Sequence, residues 1–368
     1  MIIDDAAVLA DLARGAAFMG SGGGGDPYYS LLLAEAALAR CGRFEVISLD
    51  ELKDEALLAP CGWIGAPTVS VEKLPNGGEA VSGLRRLEAI RGKTIDAVLP
   101  IEIGGGNGLA PFIAAAALGI PVVDCDGMGR AFPESQMTIF NIRGLSACPS
   151  VLTASDGSLN VIETDDNLTH ERIARALAVS LGGIAHMVEY PLSGVEAKAH
   201  AIPGSVSTAI AAGRAIREAR AKGTDAFQAL GAALKATRLY PHCISLFDGK
   251  IVDLERETRG GFSIGKVTID GFGDGGRMEI EFQNENLVAT RDGRILAMVP
   301  DIITVMDRDT ADTITTEKLK YGQRVKVIAA AAPDILRDDR ALSFVGPRSF
   351  GMGYDFKPVE MLNETEKA

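Results

Sequence analysis

The sequence predicts an α/β domain with a mostly parallel sheet and glycine-rich loops, followed by an antiparallel β-barrel-like domain. Three observations carry that expectation. Residues 1–165 alternate strand and helix signals, and Ile95–Ile103 and Ile120–Cys125 are the near-continuous apolar runs that buried parallel strands need. Residues 169–237 are alanine-rich and helical in pattern. Beyond Tyr240 the pattern changes to short strands separated by Asp-Gly pairs. A chain of 368 residues has room for two domains. We place them at 1–239, including the helical segment 169–237, and at 240–360.

In chain order, Asp4 or Asp5 can cap a helix through about Arg14. Ala16–Met19 is a short apolar piece before Gly20-Ser-Gly-Gly-Gly-Gly25. Asp26-Pro27 opens a helix that Gly42 stops after Cys41. Phe44–Leu49 reads as a strand, Gly62–Val71 as extended, Leu84–Ile90 as helix and Leu109–Leu118 as helix. Thr169 can cap a helix over Glu171–Val188, and Ser207–Lys222 and Asp225–Thr237 follow as helices. Strands are expected at Cys243–Phe247, Lys250–Glu257, Gly265–Ile269, Arg277–Phe282, Leu287–Thr290, Ile295–Val299, Ile302–Asp307 and Arg324–Ala329. Asp248-Gly249, Asp270-Gly271, Asp274-Gly275 and Asp292-Gly293 are expected at hairpin turns.

Composition narrows the function classes. Apolar residues make up 47% and charged residues 23%, enough to bury a core. The net charge is −12, and no Lys/Arg run is present, so nucleic acid and anionic membranes are poor partners. The start Met1-Ile-Ile-Asp4-Asp5 has no basic stretch before an apolar core, and the longest apolar runs are too short or broken to span a bilayer. Cys41, Cys61, Cys125, Cys148 and Cys243 are widely spaced, with no CxxC, and read as reduced thiols of a cytoplasmic protein. Cys243, beside His242, is the one candidate reactive thiol. Glycine is the outlier, at 42 residues.

Three glycine clusters, at 20–25, 104–108 and 127–129, fall where strands should hand over to helices or loops. Backbone N–H groups there can hold a carboxylate, a carbonyl oxygen or an oxyanion. Gly22, Gly23, Gly24, Gly25, Gly105 and Gly106 are therefore candidate substrate-binding positions. Gly20-x-Gly22-x-x-Gly25 formally fits a dinucleotide fingerprint. NAD(P) is disfavoured, because no strong apolar strand precedes the loop. Gly260–Lys266 nearly spells a phosphate loop, but Val267 stands where Ser or Thr is needed.

The densest functional segment is Asp124-Cys125-Asp126-Gly-Met-Gly-Arg130-Ala-Phe-Pro-Glu134. Alternation puts Asp124 and Asp126 on one strand face, where paired carboxylates can act as acid and base or hold a divalent cation. Arg130 can neutralise one of them or anchor a substrate carboxylate. Glu102 and Asn107 approach the same sheet edge. His242 and the polar run Gln283-Asn284-Glu285-Asn286 form a second polar set. A metal site, if used, would draw on Asp124, Asp126 and His242.

The motifs Gly20-Ser-Gly-Gly-Gly-Gly-Asp-Pro27, Glu102-x-Gly-Gly-x-Asn107, Pro121–Glu134, Phe282–Asn286, Val299-Pro-Asp301 and Val345-Gly-Pro-Arg348 together resemble the S-methyl-thiohydantoin desulfurase-like family. The resemblance spans nearly the whole chain. One departure is Cys125, where a small residue such as Ala is expected. The resemblance implies an N-terminal α/β domain, a C-terminal β-barrel domain and chemistry on five-membered cyclic ureides, with water replacing a methylthio group. Relatives often accompany hydantoinase/oxoprolinase-type proteins.

The expected function is hydrolysis of such a ring. Asp124 or Asp126 would be base or metal ligand, Glu134 the partner acid and Arg130 the anchor. The alternative is a non-catalytic binding or accessory subunit of a hydantoinase/oxoprolinase-type system. The Ala-rich helical middle suits a homo-oligomer, such as a dimer.

Overall fold

Helix boundaries follow local chemistry. In the computed structural model, which describes residues 1–65, 69, 75–237, 239–273 and 275–364, Asp5 caps helix α1 (Ala6–Met19) by accepting from Ala7 N. The apolar piece Ala16–Met19 is the last turn of this helix, so the first glycine loop follows a helix rather than a strand. Asp26 caps α2 (Pro27–Cys41), and Gly42, at φ 77°, ends it. Helices α3 (Glu79–Arg91) and α4 (Ala110–Leu118) end at Gly92 and Gly119 in the same left-handed way.

The N-terminal strands are β1 (Ile2–Ile3), β2 (Phe44–Ile47), β3 (Leu57–Gly65), β4 (Ala97–Pro100), β5 (Val122–Val123), β6 (Cys125–Asp126), β7 (Ser150–Thr153), β8 (Leu159–Ile162), β9 (Ile184–Val188), β10 (Leu192–Ser193) and β11 (Ile202–Pro203). The main sheet runs β1-β2-β5-β4-β3-β9-β7-β8, with β10 also on β3. It is mixed, which corrects the mostly parallel expectation. Among the described residues, only β2-β5, β5-β4 and β4-β3 pair in parallel. The flank β9-β7-β8 is antiparallel. The sequence hid that flank because Ile184–Val188 looks like the end of the preceding helix. That helix, Asn167–Ser180, is capped by Asp166 rather than Thr169. It stops before Gly182 and Gly183, at φ 95° and 92°, and the chain returns as a strand. The expected extended segment Gly62–Val71 is strand to Gly65; 66–68, 70 and 71 lie outside the described residues.

Helix Ser205–Lys222 packs against α1, and Ala226–Thr237 packs against Ser205–Lys222. Gly15 and Gly213 allow the approach: a Cβ at either would stand 1.9 Å from a backbone oxygen of the facing helix.

The C-terminal strands are β12 (Cys243–Arg259), β13 (Phe262–Gly271), β14 (Arg277–Gln283), β15 (Glu285–Arg291), β16 (Arg294–Met298), β17 (Ile302–Asp307) and β18 (Arg324–Ala330). They form one antiparallel sheet, β16-β15-β14-β13-β12-β18-β17, curled into a half-barrel. Its ends approach each other, with Asn286 Nδ2 donating to Ile303 O at 2.8 Å. Two expected strands are the single bulged strand β12, and Asp248-Gly249 lies inside it rather than at a turn. Asp292-Gly293 is a turn, both residues having positive φ; Asp274 lies outside the described residues. Gly260-Gly261 turns the β12–β13 hairpin, so no phosphate loop forms there. Among the described residues, no helix is long and apolar enough to cross a membrane.

Candidate active site

The two larger glycine loops touch each other. Gly106 N donates to the carbonyls of Gly24 and Gly25 at 3.0 and 3.1 Å. A Cβ at Gly24 would stand 2.4 Å from Gly104 O, and one at Gly105 2.3 Å from Gly25 O. Only glycine permits that approach with the positive φ both residues adopt, 70° and 59°. The first loop is also tied to the half-barrel. Ser21 Oγ donates to Ile303 O and accepts from Ile303 N, both at 3.0 Å, and Thr316 N donates to Gly22 O at 2.9 Å.

Beside the interlocked loops opens a cleft. Gly24, Gly25 and Gly106 form part of its wall, with Glu102 and Asn107 after β4, Glu134 and Ser135, Glu189 after β9, and Glu285 at the start of β15. Both halves of the chain contribute. Asn107 is a clasp: its Nδ2 donates to Glu102 Oε1 at 2.6 Å, and its Oδ1 accepts from Trp63 N at 2.6 Å. Glu102 Oε2 accepts from Phe132 N at 3.0 Å. Glu189 Oε2 accepts from Ser135 Oγ. Glu285 Oε1 accepts from Gly24 N at 3.3 Å, while its Oε2 is buried with no partner.

These three glutamates are 2–5% exposed. Burial pushes Glu102 and Glu189 up to about 8, and Glu285 well above the usual carboxylate range; mutual repulsion adds to this. Carboxyls that keep a proton near neutrality are what a general acid requires. Arg175, also on the cleft wall, is engaged by Glu171, donates to Pro133 O at 2.7 Å and lies over the Phe262 ring.

The remaining sequence candidates stand elsewhere. Asp126 is fully buried, and its Oδ2 accepts from the backbone N–H of Ile103, Met128 and Gly129 at 2.9, 3.2 and 2.7 Å. Burial raises it to about 6. Asp124 Oδ1 accepts from Ser207 N at 2.9 Å, at the start of helix Ser205–Lys222. His242 is exposed. Among the described residues, no group of three or more His, Cys, Asp or Glu is gathered as a metal site, so Asp124, Asp126 and His242 form none.

Arg130 is buried beneath the cleft. It donates to the carbonyls of Ala131, Pro300, Asp301 and Asn286. Desolvation lowers it to about 10, against the pull of Glu285, Asp301 and Glu102. Three of the glycine-loop donors are spent internally: Gly23 N on Gly20 O, Gly24 N on Glu285, and Gly106 N on Gly24 and Gly25. Gly22, Gly23 and Gly105 stand behind the wall. Gly23 packs against Glu285, whose Oε1 would be 1.9 Å from a Cβ there. The sequence analysis did not single out Glu189, and it named Glu285 only within the polar run 283–286, without a role. Each had a signal: Glu189 directly follows the apolar strand Ile184–Val188, and Glu285 sits in the polar run that interrupts two strands.

The fold and cleft define the class first: a mixed α/β sheet joined to an antiparallel half-barrel, with a carboxyl-lined pocket built by both. Residues 7–164 match the S-Me-THD-like N-terminal domain, and residues 165–359 the S-Me-THD-like C-terminal domain. The chain belongs to the S-Me-THD-like family, named for S-methyl-thiohydantoin desulfurase. A crystal structure of a protein from Chromobacterium violaceum, solved by a structural genomics consortium, is similar in fold. The TM-score is 0.79 at 23% identity, covering 98% of this chain and 100% of that one. No curated protein matches in sequence.

Proposed function

We propose that the cleft hydrolyses an S-methylated thiohydantoin or a closely related five-membered cyclic ureide, exchanging the methylthio group for oxygen from water. The observation that supports this is the convergence of Glu102, Glu189 and Glu285, all buried, on one cleft of a chain whose family is named for that chemistry. Such a ring presents N–H and carbonyl groups, which carboxyl and amide side chains can pair.

Water adds to the ring carbon that bears sulfur, and one water proton passes to the ring nitrogen. The carbon–sulfur bond then breaks as the carbonyl forms, and the second water proton ends on the thiolate. The products are a hydantoin and methanethiol. The step needs one carboxyl that is protonated and one that is ionised. The buried, raised glutamates supply the protonated carboxyl, and the first of them to lose its proton as pH rises toward 8 supplies the ionised one. Glu134, also on the wall, is a further carboxyl able to exchange protons at the site. Asp126 acts in this scheme by holding the turn that carries Met128 and Gly129.

The test is release of methanethiol and hydantoin from an S-methylated thiohydantoin by the purified chain. E102Q and E189Q, with unchanged circular dichroism, should lower kcat by about 10²–10⁴. Absence of both binding and turnover overturns the proposal. Binding without turnover until a hydantoinase-type protein is added would instead make the chain an accessory subunit.

A further inference from the structure

We propose that Glu189 is the cleft carboxyl that exchanges a proton with the bound ring, and that His170, buried behind it, is the positioning residue that sets its proton affinity. The role toward the ring rests on the hydrolytic reading above; the link between His170 and Glu189 does not.

Glu189 stands between the cleft and a buried imidazole. On the cleft side, its Oε2 meets the Ser135 hydroxyl. Ser135 is itself held in place: its N–H donates to Glu171 Oε2 at 2.9 Å, and its carbonyl accepts from Tyr190 OH at 3.2 Å. Behind it, His170 Nδ1 stands 4.0 Å from the same Oε2. The imidazole is fully buried, its Nε2 lies 2.7 Å from Ser150 Oγ, and its Nδ1 has no hydrogen-bond partner. Ser150 Oγ has its hydrogen bond with that Nε2. In the tautomer we assign, Ser150 Oγ donates to Nε2 and the ring proton stands on Nδ1, where it faces the carboxyl oxygen.

That tautomer gives His170 a role without a charge. At 4.0 Å the Nδ1–H is beyond hydrogen-bond reach, so the neutral carboxyl gains little from it. An ionised Glu189 is attracted to the same N–H in a low-dielectric setting, and a small side-chain shift closes the gap. Burial supports this division. It pushes Glu189 up to about 8 and His170 down to about 4, so near neutrality the carboxyl holds the proton and the imidazole is neutral.

In the reaction, Glu189 gives its proton to the departing sulfur as the carbon–sulfur bond breaks. It is reprotonated by the hydroxyl proton lost as the ring carbonyl forms. The other charged groups facing Glu189 are Glu171 and Arg175 on the helix that carries His170, and Glu102 from the loop after β4. All remain when His170 alone is changed.

The experiment is an infrared titration of protonated carboxyls in the full chain, comparing wild type, E189Q, H170L and H170Q. A band absent in E189Q should titrate near pH 8 in the wild type. H170L removes the donor to the ionised form and should raise the midpoint by about one pH unit, tenfold in proton affinity. H170Q, which keeps an N–H, should restore most of it. If H170L does not fold, S150A, which releases the tautomer, should shift the midpoint in the same direction. Two results overturn the proposal: no band lost in E189Q, or a midpoint unmoved in a folded H170L or S150A. With substrate, the alkaline limb of kcat/KM should move with the band. If no cyclic ureide is turned over, the hydrolytic reading fails while the infrared result still decides the His170–Glu189 link.

Discussion

Arg130 shows how one residue can serve a cleft it does not line. Its guanidinium is held by four main-chain carbonyls and lies 5.0 Å from the centre of the Phe132 ring. Its charge offsets Glu285, Asp301 and Glu102, none of which it hydrogen-bonds through a carboxylate. Removing it takes the offsetting cation from Glu285 and Glu102, while Asp301 keeps Arg337, and leaves four carbonyls short of donors. R130M should therefore cost about 3–5 kcal/mol of stability, read as a lower urea midpoint. A substrate anchor would instead raise KM and leave the midpoint alone. The segment Asp124–Glu134 stood out in the sequence, and it borders the cleft through Met128, Phe132 and Glu134. Which acids stay available was not legible. Asp124 and Asp126 are consumed by backbone N–H groups that their glycine-rich surroundings leave without carbonyl partners. Sequence alternation reports the face a side chain takes, not the donors that the rest of the chain brings to it.

The glycine loops belong to the element scale. Their positions were readable from the sequence, and their placement beside a cleft follows from the loop-to-loop contact. G105A places a methyl 2.3 Å from Gly25 O at φ +59°, so the loops must separate. The expected cost is about 2 kcal/mol or more, with weakened ligand binding because Gly24 and Gly25 move. G25A is the comparator. Its φ is 76°, but no atom lies within 4 Å of the added carbon, so about 1 kcal/mol of backbone strain is expected. Urea unfolding of both variants, with hydantoin binding by calorimetry, checks the difference. Equal costs would mean that φ, not contact, makes the loops glycine. The half-barrel strands were legible because alternation and turns are local signals; Ile302–Asp307 appears with the bounds its pattern suggests. The β9-β7-β8 flank was not, because pairing β9 with β3 joins residues more than a hundred positions apart.

At the scale of the molecule, buried titrating groups make stability depend on pH. Glu102 and Glu189, raised to about 8, hold protons in the folded chain that the unfolded chain has lost. Their contribution is present below about pH 4.5 and disappears as pH rises through 8. His170 and His186, lowered to about 4 and about 3, act the other way: their contribution is present above about 6.5 and is lost as pH falls through those values. Of these groups, only the glutamates act between about pH 6.5 and 8, so unfolding free energy should fall there as pH rises. The slope is up to roughly 1.4 kcal/mol per pH unit for each carboxyl, and E189Q should flatten it. The same transition should also be single. The change of strand grammar near Tyr240 marks a change of architecture, yet Leu9 and Val206 share one apolar core with Ile302, Met306 and Ile328. Thr304 Oγ1 donates to Phe18 O at 2.8 Å, and Asn286 N donates to Ser21 O at 2.7 Å, fastening the end of α1 to the half-barrel. Exposing either half would uncover apolar surface and unpaired polar groups of the other, which disfavours a half-folded state. Trp63, the single tryptophan, reports on β3 in the α/β sheet. Far-UV circular dichroism reports on both sheets. In urea the two signals should share one midpoint; a dichroism transition that persists after Trp63 has changed would show that the half-barrel stands without its partner.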